Sequence, residues 1–196
     1  MKLKKGELLL IAFNLIYVAI FTIYYLSIKN YEFLWYVAVL LFFICLIAFT
    51  LKKSNFDYLI LWGLSIWGFL HMAGGGVRIG DSVLYALNLI TIFDTGEIFI
   101  LKFDQLVHFY GFAVTTLVAN HLLKNYWNER VNYKIVYPAL AAIGMGLGAL
   151  NEIVEFMAVV AFSNTGVGGY YNTALDLVFN TLGAIAAVIF IHFRRR

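Results

Sequence analysis

Six side chains able to carry protons or hold a metal ion lie inside apolar stretches of this chain: His71, Asp104, His108, Glu152, Glu155 and Asp176. An Asp at the centre of a bilayer costs roughly 2.5–3.5 kcal/mol even on lenient insertion scales, so a functional site is the default reading of such groups. Their spacing gathers them further. Asp104 and His108 are i and i+4, Glu152 and Glu155 are i and i+3, and each pair therefore shares one helix face. Asn172, Asp176 and Asn180 form a polar ladder at the same i+4 step. Imidazole with carboxylate is the donor set of a zinc, manganese or iron site, in which three protein ligands plus water leave a position open for catalysis. On this reading His108, Glu152 and Asp176, from three helices, ligate the metal. His71 is a fourth ligand or orients one of them, and Asp104 steadies His108 from behind. Glu155 serves as general base. The chemistry is hydrolysis or group transfer on a lipid-linked or envelope substrate.

Two other readings use the same residues. Transporters pass protons and ions along intramembrane Asp, Glu and His, and a polar route continuing towards the cytoplasm would mark one. The fourth apolar segment continues with Thr115, Thr116, Asn120 and His121, but the fifth offers mostly Ala, Ile and Gly. A buried acid–imidazole network can also fix helix register with no turnover. Asp104 taken alone suits a helix N-cap equally well.

The elements that must hold these groups follow from composition. With 63% hydrophobic and 13% charged residues and a mean hydropathy of +0.85, the chain has more apolar surface than a soluble fold of its size can hide. Apolar segments at about 8–27, 33–51, 57–74, 104–123, 135–160 and 171–192 are each long enough to cross a ~30 Å hydrocarbon core as a helix. The expectation is an all-α, six-span bundle forming one membrane domain over residues 1–196, resident in the cell membrane with the lipid bilayer as its partner. The charged start Met1–Lys5 leads into an apolar run too long for a signal peptide, with no small-residue cleavage site, and reads as a retained first helix. Lys2, Lys4, Lys5, Lys52, Lys53, Lys124, Arg130, Lys134 and Arg194–Arg196 fall on one side, against Lys29, Arg78 and Lys102 on the other, which places both termini in the cytoplasm. A net charge of +3 gives no indication of nucleic-acid binding, and the single Cys45 excludes a disulfide framework.

The basic residues also serve as depth rulers. His71 is 18 residues from Lys53, His108 is 16 from Lys124, Glu152 is 18 from Lys134, and Asp176 is 18 from Arg194. At ~1.5 Å per residue these intervals are roughly 24–27 Å, so four helices deliver ionisable groups to one layer in the outer part of the membrane. Gly144 and Gly148 lie on the Glu152 face and permit close approach of another helix. The long connection 75–103 contains an apolar run from Val83 to Phe93 that is too short to cross, which suggests a re-entrant or interfacial segment, followed by a turn at Asp94–Gly96.

Phe103-Asp104-Gln105-Leu106-Val107-His108-Phe109, Glu152-Ile-Val-Glu155 and Tyr171-Asn172-Thr173-Ala-Leu-Asp176, with Asn180 and Gly183, resemble the YjdF-type family of small inner-membrane proteins. His71 and the glycines after it extend the resemblance over about 57–190. A looser similarity joins these residues to VanZ-like proteins, through an Asp…His, Glu and Asp…Asn…Gly order. The resemblance implies membrane location and a shared polar centre, and it brings no established reaction. Two departures stand out: Gln105 occupies the place of a basic residue, and Asn172 the place of an aspartate.

Overall fold

Apolar backbone in hydrocarbon must satisfy its own N–H and C=O groups, which makes a helix of each long apolar run. The computed structural model describes residues 5–94, 99–127, 131–162 and 168–195. Among them are six helices long and apolar enough to cross a membrane. They are α1 (Lys5–Ser27), α2 (Tyr31–Ser54), α3 (Tyr58–Gly76), α4 (Phe103–Leu123), α5 (Tyr133–Ala161) and α6 (Tyr170–Arg195). Polar residues between the runs set the ends. Asn30 opens α2 by accepting from the Phe33 N–H (3.1 Å), and Asp57 opens α3 by accepting from the Ile60 N–H (3.0 Å). Asn55 closes α2 at φ 49°, a left-handed conformation that Asn tolerates. Lys2, Lys4, Arg130 and Arg196, four of the topology anchors, lie outside the described residues.

The bundle is organised on α4, which packs against α3, α5 and, most extensively, α6. Gly183 makes that closeness possible: a Cβ there would sit 2.1 Å from the Phe109 carbonyl oxygen of α4. On α5 the Gly144 and Gly148 face meets α6, where added Cβ atoms would stand 2.8 Å from Ala184 and 2.8 Å from Asn180. Small residues substitute for the missing hydrophobic drive between helices in lipid by letting backbones touch. A second core joins α1 to α2 and α3 through Tyr17, Phe21, Tyr25, Phe33, Tyr36 and Met72. There the fully buried Tyr25 hydroxyl donates to the Met72 carbonyl oxygen.

The connection from α3 to α4 folds as two small hairpins. Strands β1 (Arg78–Ile79) and β2 (Ser82–Val83) pair antiparallel across Gly80–Asp81, with Gly80 at φ 59°, the conformation a two-residue hairpin turn demands. A single 3-10 turn, Leu84–Ala86, leads to β3 (Asn88–Asp94), which pairs antiparallel with β4 (Phe99–Lys102). The apolar run at 83–93 thus takes up a short turn and a strand. Pairing with β4 satisfies backbone groups that an eleven-residue helix too short to span would leave at its ends. The turn expected at Asp94–Gly96 falls largely outside the described residues.

Candidate functional site

The first turn of α4 starts at Lys102, whose backbone N–H donates to the Gln105 Oε1 (2.9 Å). The fully buried Gln105 is therefore engaged in closing the helix start, which accounts for a neutral amide where the resemblance suggests a base. Asp104 is not the cap. It stands inside the first turn and projects towards His108 and α6.

His108 is the centre of the site, and its two ring nitrogens face different neighbours. Nδ1 lies 3.1 Å from Asn180 Oδ1 and 3.4 Å from Glu152 Oε1. Nε2 lies 3.6 Å from Asp104 Oδ1 and 3.8 Å from Glu155 Oε1. The Asn180 oxygen can only accept, so Nδ1 is the donor of that pair, and Nε2 is the nitrogen that faces Asp104 and Glu155. Asn180 keeps its own amide turned this way by donating to Glu152 Oε1 (3.4 Å).

Asn172 arranges the other half. Its amide nitrogen donates to Asp104 Oδ2 (3.1 Å) and to Asp176 Oδ2 (2.7 Å). Both amide protons are used on the far oxygens of two carboxylates, which leaves the Oδ1 atoms for other partners. Asp104 Oδ1 turns towards His108, and Asp176 Oδ1 is buried with no hydrogen-bond partner among the described residues. Ligand atoms of Asp104, His108 and Asp176 all lie within 4.8 Å of one another, and so do those of His108, Glu152 and Glu155. Asn151 donates to Glu155 Oε1 (2.8 Å) and fixes that carboxylate. Five of the six residues singled out by sequence thus come together in two groups sharing one imidazole.

His71 is in neither group. Its Nδ1 pairs with the Tyr85 hydroxyl at 2.5 Å, and its ring meets Tyr36 edge-on at 5.3 Å between centroids. The Tyr85 phenol lies outside the spans. Enclosure of its hydroxyl, and then the carboxylates of Asp104 and Glu155, hold its pKa well above the usual tyrosine value. A cavity of about 800 Å³ at the hairpin end of the bundle is lined by His71, Tyr85, Asp104 and Glu155 together with Glu32 and Tyr36 of α2. Residue order gave no signal for Glu32, Tyr36 or Tyr85. An acid in a first helical turn and tyrosines near a span end look like ordinary dipole and interface residues. The remaining histidines lie at the opposite end: His121 Nε2 donates to the Ser54 carbonyl oxygen (2.9 Å), and His192 Nδ1 sits 3.2 Å from the Tyr137 hydroxyl.

Fold and site together define a multi-pass membrane protein with a buried His/Asp/Glu group. A family model described as "Predicted membrane protein (DUF2238)" matches residues 9–196, and the chain belongs to that family. No curated protein and no solved structure matches it.

Proposed function

We propose that the Asp104–His108–Asp176 group is a divalent metal site serving hydrolysis or group transfer on a lipid or envelope substrate. The observation that carries this is the buried Asp176 Oδ1, without a hydrogen-bond partner among the described residues, on a side chain with a ligand atom within 4.8 Å of those of Asp104 and His108. A buried carboxylate oxygen without a donor is costly, and a cation coordinated jointly with Asp104 and His108 removes that cost. The sequence alone put Glu152 among the ligands and Asp104 behind His108; the geometry favours the exchange. Glu152 lies on the protonated Nδ1 side and fixes the ring's tautomer through Asn180, whereas Asp104 lies on the Nε2 side. His71, engaged with Tyr85, is left out of the ligand set.

Zinc, manganese or iron bound there would polarise the scissile group and activate a water. The chain's own residues do the rest. Glu155, positioned by Asn151, would serve as the general base in such a reaction and would pass the proton on to the leaving group. The apolar bundle around the floor limits bulk water, which strengthens these contacts. The excess of basic residues at the opposite helix ends supports cytoplasmic termini and a single membrane domain whose cavity faces the outer leaflet. The YjdF-type resemblance accords with the family membership, and the looser VanZ-like one rests on residue order alone.

The proton- or ion-carrier reading has less support. Thr115 and Thr116 donate to the Gly111 and Phe112 carbonyls of their own helix (2.8 and 2.7 Å), so these two hydroxyls below His108 are turned back on α4. Elemental analysis of the protein purified in mild detergent decides between the two. Stoichiometric zinc, manganese or iron in the wild type, lost in His108→Ala and in Asp176→Asn of equal foldedness, is the expected result. Absence of metal after incubation with all three ions would refute the proposal.

A further inference from the structure

The fourteen Lys and Arg residues are unevenly spread, and among the described residues Lys29, Arg78 and Lys102 are the ones at the hairpin end. All three line the same 800 Å³ cavity, although they come from three separate connections: the α1–α2 turn, β1 and the end of β4. Lys29 is held at φ 54°, closing α1 with its N–H on the Leu26 carbonyl (3.2 Å) and the next N–H, of Asn30, on the Tyr25 carbonyl (3.0 Å). Glycine is the favoured occupant of that left-handed seat, so a lysine there is placed against local preference. Tyr36 lines the cavity as well. It is more than nine-tenths buried, and its hydroxyl has no hydrogen-bond partner among the described residues. Three cations and an unused phenol donor suit a ligand that brings several anionic acceptor oxygens. The carboxylates of Glu32, Asp104 and Glu155 face the same space. An anion must therefore stay at the cationic rim or meet a cation on the floor.

We infer that this cavity binds a phosphate-bearing head, gripped by Lys29, Arg78 and Lys102 with Tyr36 donating to one phosphate oxygen. The inference rests on the metal reading for the substrate's fate, since it names the head presented to that site, but the grip itself needs only the three cations and Tyr36. A volume of 800 Å³ falls in the range of small-molecule sites and accommodates a headgroup. The phosphate is that of a membrane lipid or a free phosphate, and the test separates these sources.

Protein in dodecyl maltoside is titrated calorimetrically with dihexanoyl phosphatidic acid below its micellar concentration, with inorganic phosphate, and with dihexanoyl glycerol as the uncharged control. Lys29 and Arg78 are exposed, so a Lys29→Ala/Arg78→Ala double variant should melt with the wild type. The expected result is saturable binding of phosphatidic acid but not of the diacylglycerol, weakened at least about tenfold in the double variant. Tighter binding of phosphatidic acid than of inorganic phosphate assigns the site to a lipid head; equal binding assigns it to free phosphate. Metal content is measured on the same samples. Rim-dependent binding in a metal-free protein would uphold this inference while removing the metal reading. Wild-type affinity in the double variant, or no saturable binding of either phosphate probe to the wild type, would overturn it.

Discussion

Replacing Gly183 by alanine tests whether the α4–α6 seam organises the site. The new Cβ would lie 2.1 Å from the Phe109 carbonyl oxygen and 3.1 Å from the Ala113 nitrogen, both backbone atoms that no side-chain rotation can move. Real Cβ atoms essentially never approach closer than 3.0 Å, so the two helices must part by about 1 Å locally. Overpacking of this kind costs about 1–3 kcal/mol. For a chain of this length that lowers Tm by roughly 2–12 °C, at about 2–4 °C per kcal/mol. The same displacement reaches the site. Asn172–Asp104 and Asn180–His108, both 3.1 Å across this seam, would lengthen by about the same 1 Å, out of hydrogen-bond range. Metal affinity should therefore fall along with Tm, by about tenfold or more. Gly146→Ala is the control: nothing lies within 4 Å of its Cβ, and helix propensity favours the change by up to about 1 kcal/mol. Melting curves in detergent and metal titration of both variants give the readout. Gly183→Ala protein that melts with the wild type and keeps its metal would sink the argument that this glycine contact holds the site together.

Two further expectations concern single hydrogen-bonded groups. Asn172→Ala releases Asp104 and Asp176 from their shared amide and should weaken metal binding about 10–100-fold with the fold intact, as measured by competition with a chelator; unchanged affinity would deny the amide its orienting role. Tyr85→Phe removes the bond to His71 and should cost about 1 kcal/mol near pH 8. Because the folded Tyr85 pKa is raised above the unfolded value of 10.0, its stabilisation is complete below that pH and is lost as pH rises through the higher folded value. The gap in denaturation midpoint between wild type and Tyr85→Phe should therefore narrow above pH 10; a gap that widens there would contradict the burial of a neutral phenol.

The six helices were legible because each apolar run meets a length requirement that few soluble elements satisfy. Counting residues from basic anchors also put His108, Glu152 and Asp176 in one layer, because helical rise is nearly constant, and helical spacing tied Asp104 and Glu155 to it. Rise gives height and leaves rotation open, and His71 shows the difference. It shares the layer but is engaged by Tyr36 and Tyr85 and joins neither acid group. The proposed exchange of roles between Asp104 and Glu152 was hidden for a related reason: it depends on which ring nitrogen faces which carboxylate, and Asn180 holds the ring across a helix interface. The hairpins were read only as an apolar run, since the pairing of β3 with β4 is a contact between segments and leaves little periodic trace in so short a strand. The cavity was invisible because its walls are the ends of several elements, brought side by side only by packing.

That one imidazole serves both acid groups sets a ceiling on stoichiometry. With Nδ1 engaged by Asn180, Nε2 is the one ring nitrogen left for an ion, so filling one group would exclude the other from using the ring. A binuclear centre of the kind that clamps both attacking and leaving oxygens would require stripping the Nδ1 proton to form an imidazolate bridge. On this arrangement titration should saturate at a single ion per chain, leaving the Glu152 side as the ring's counterweight and not as a second port.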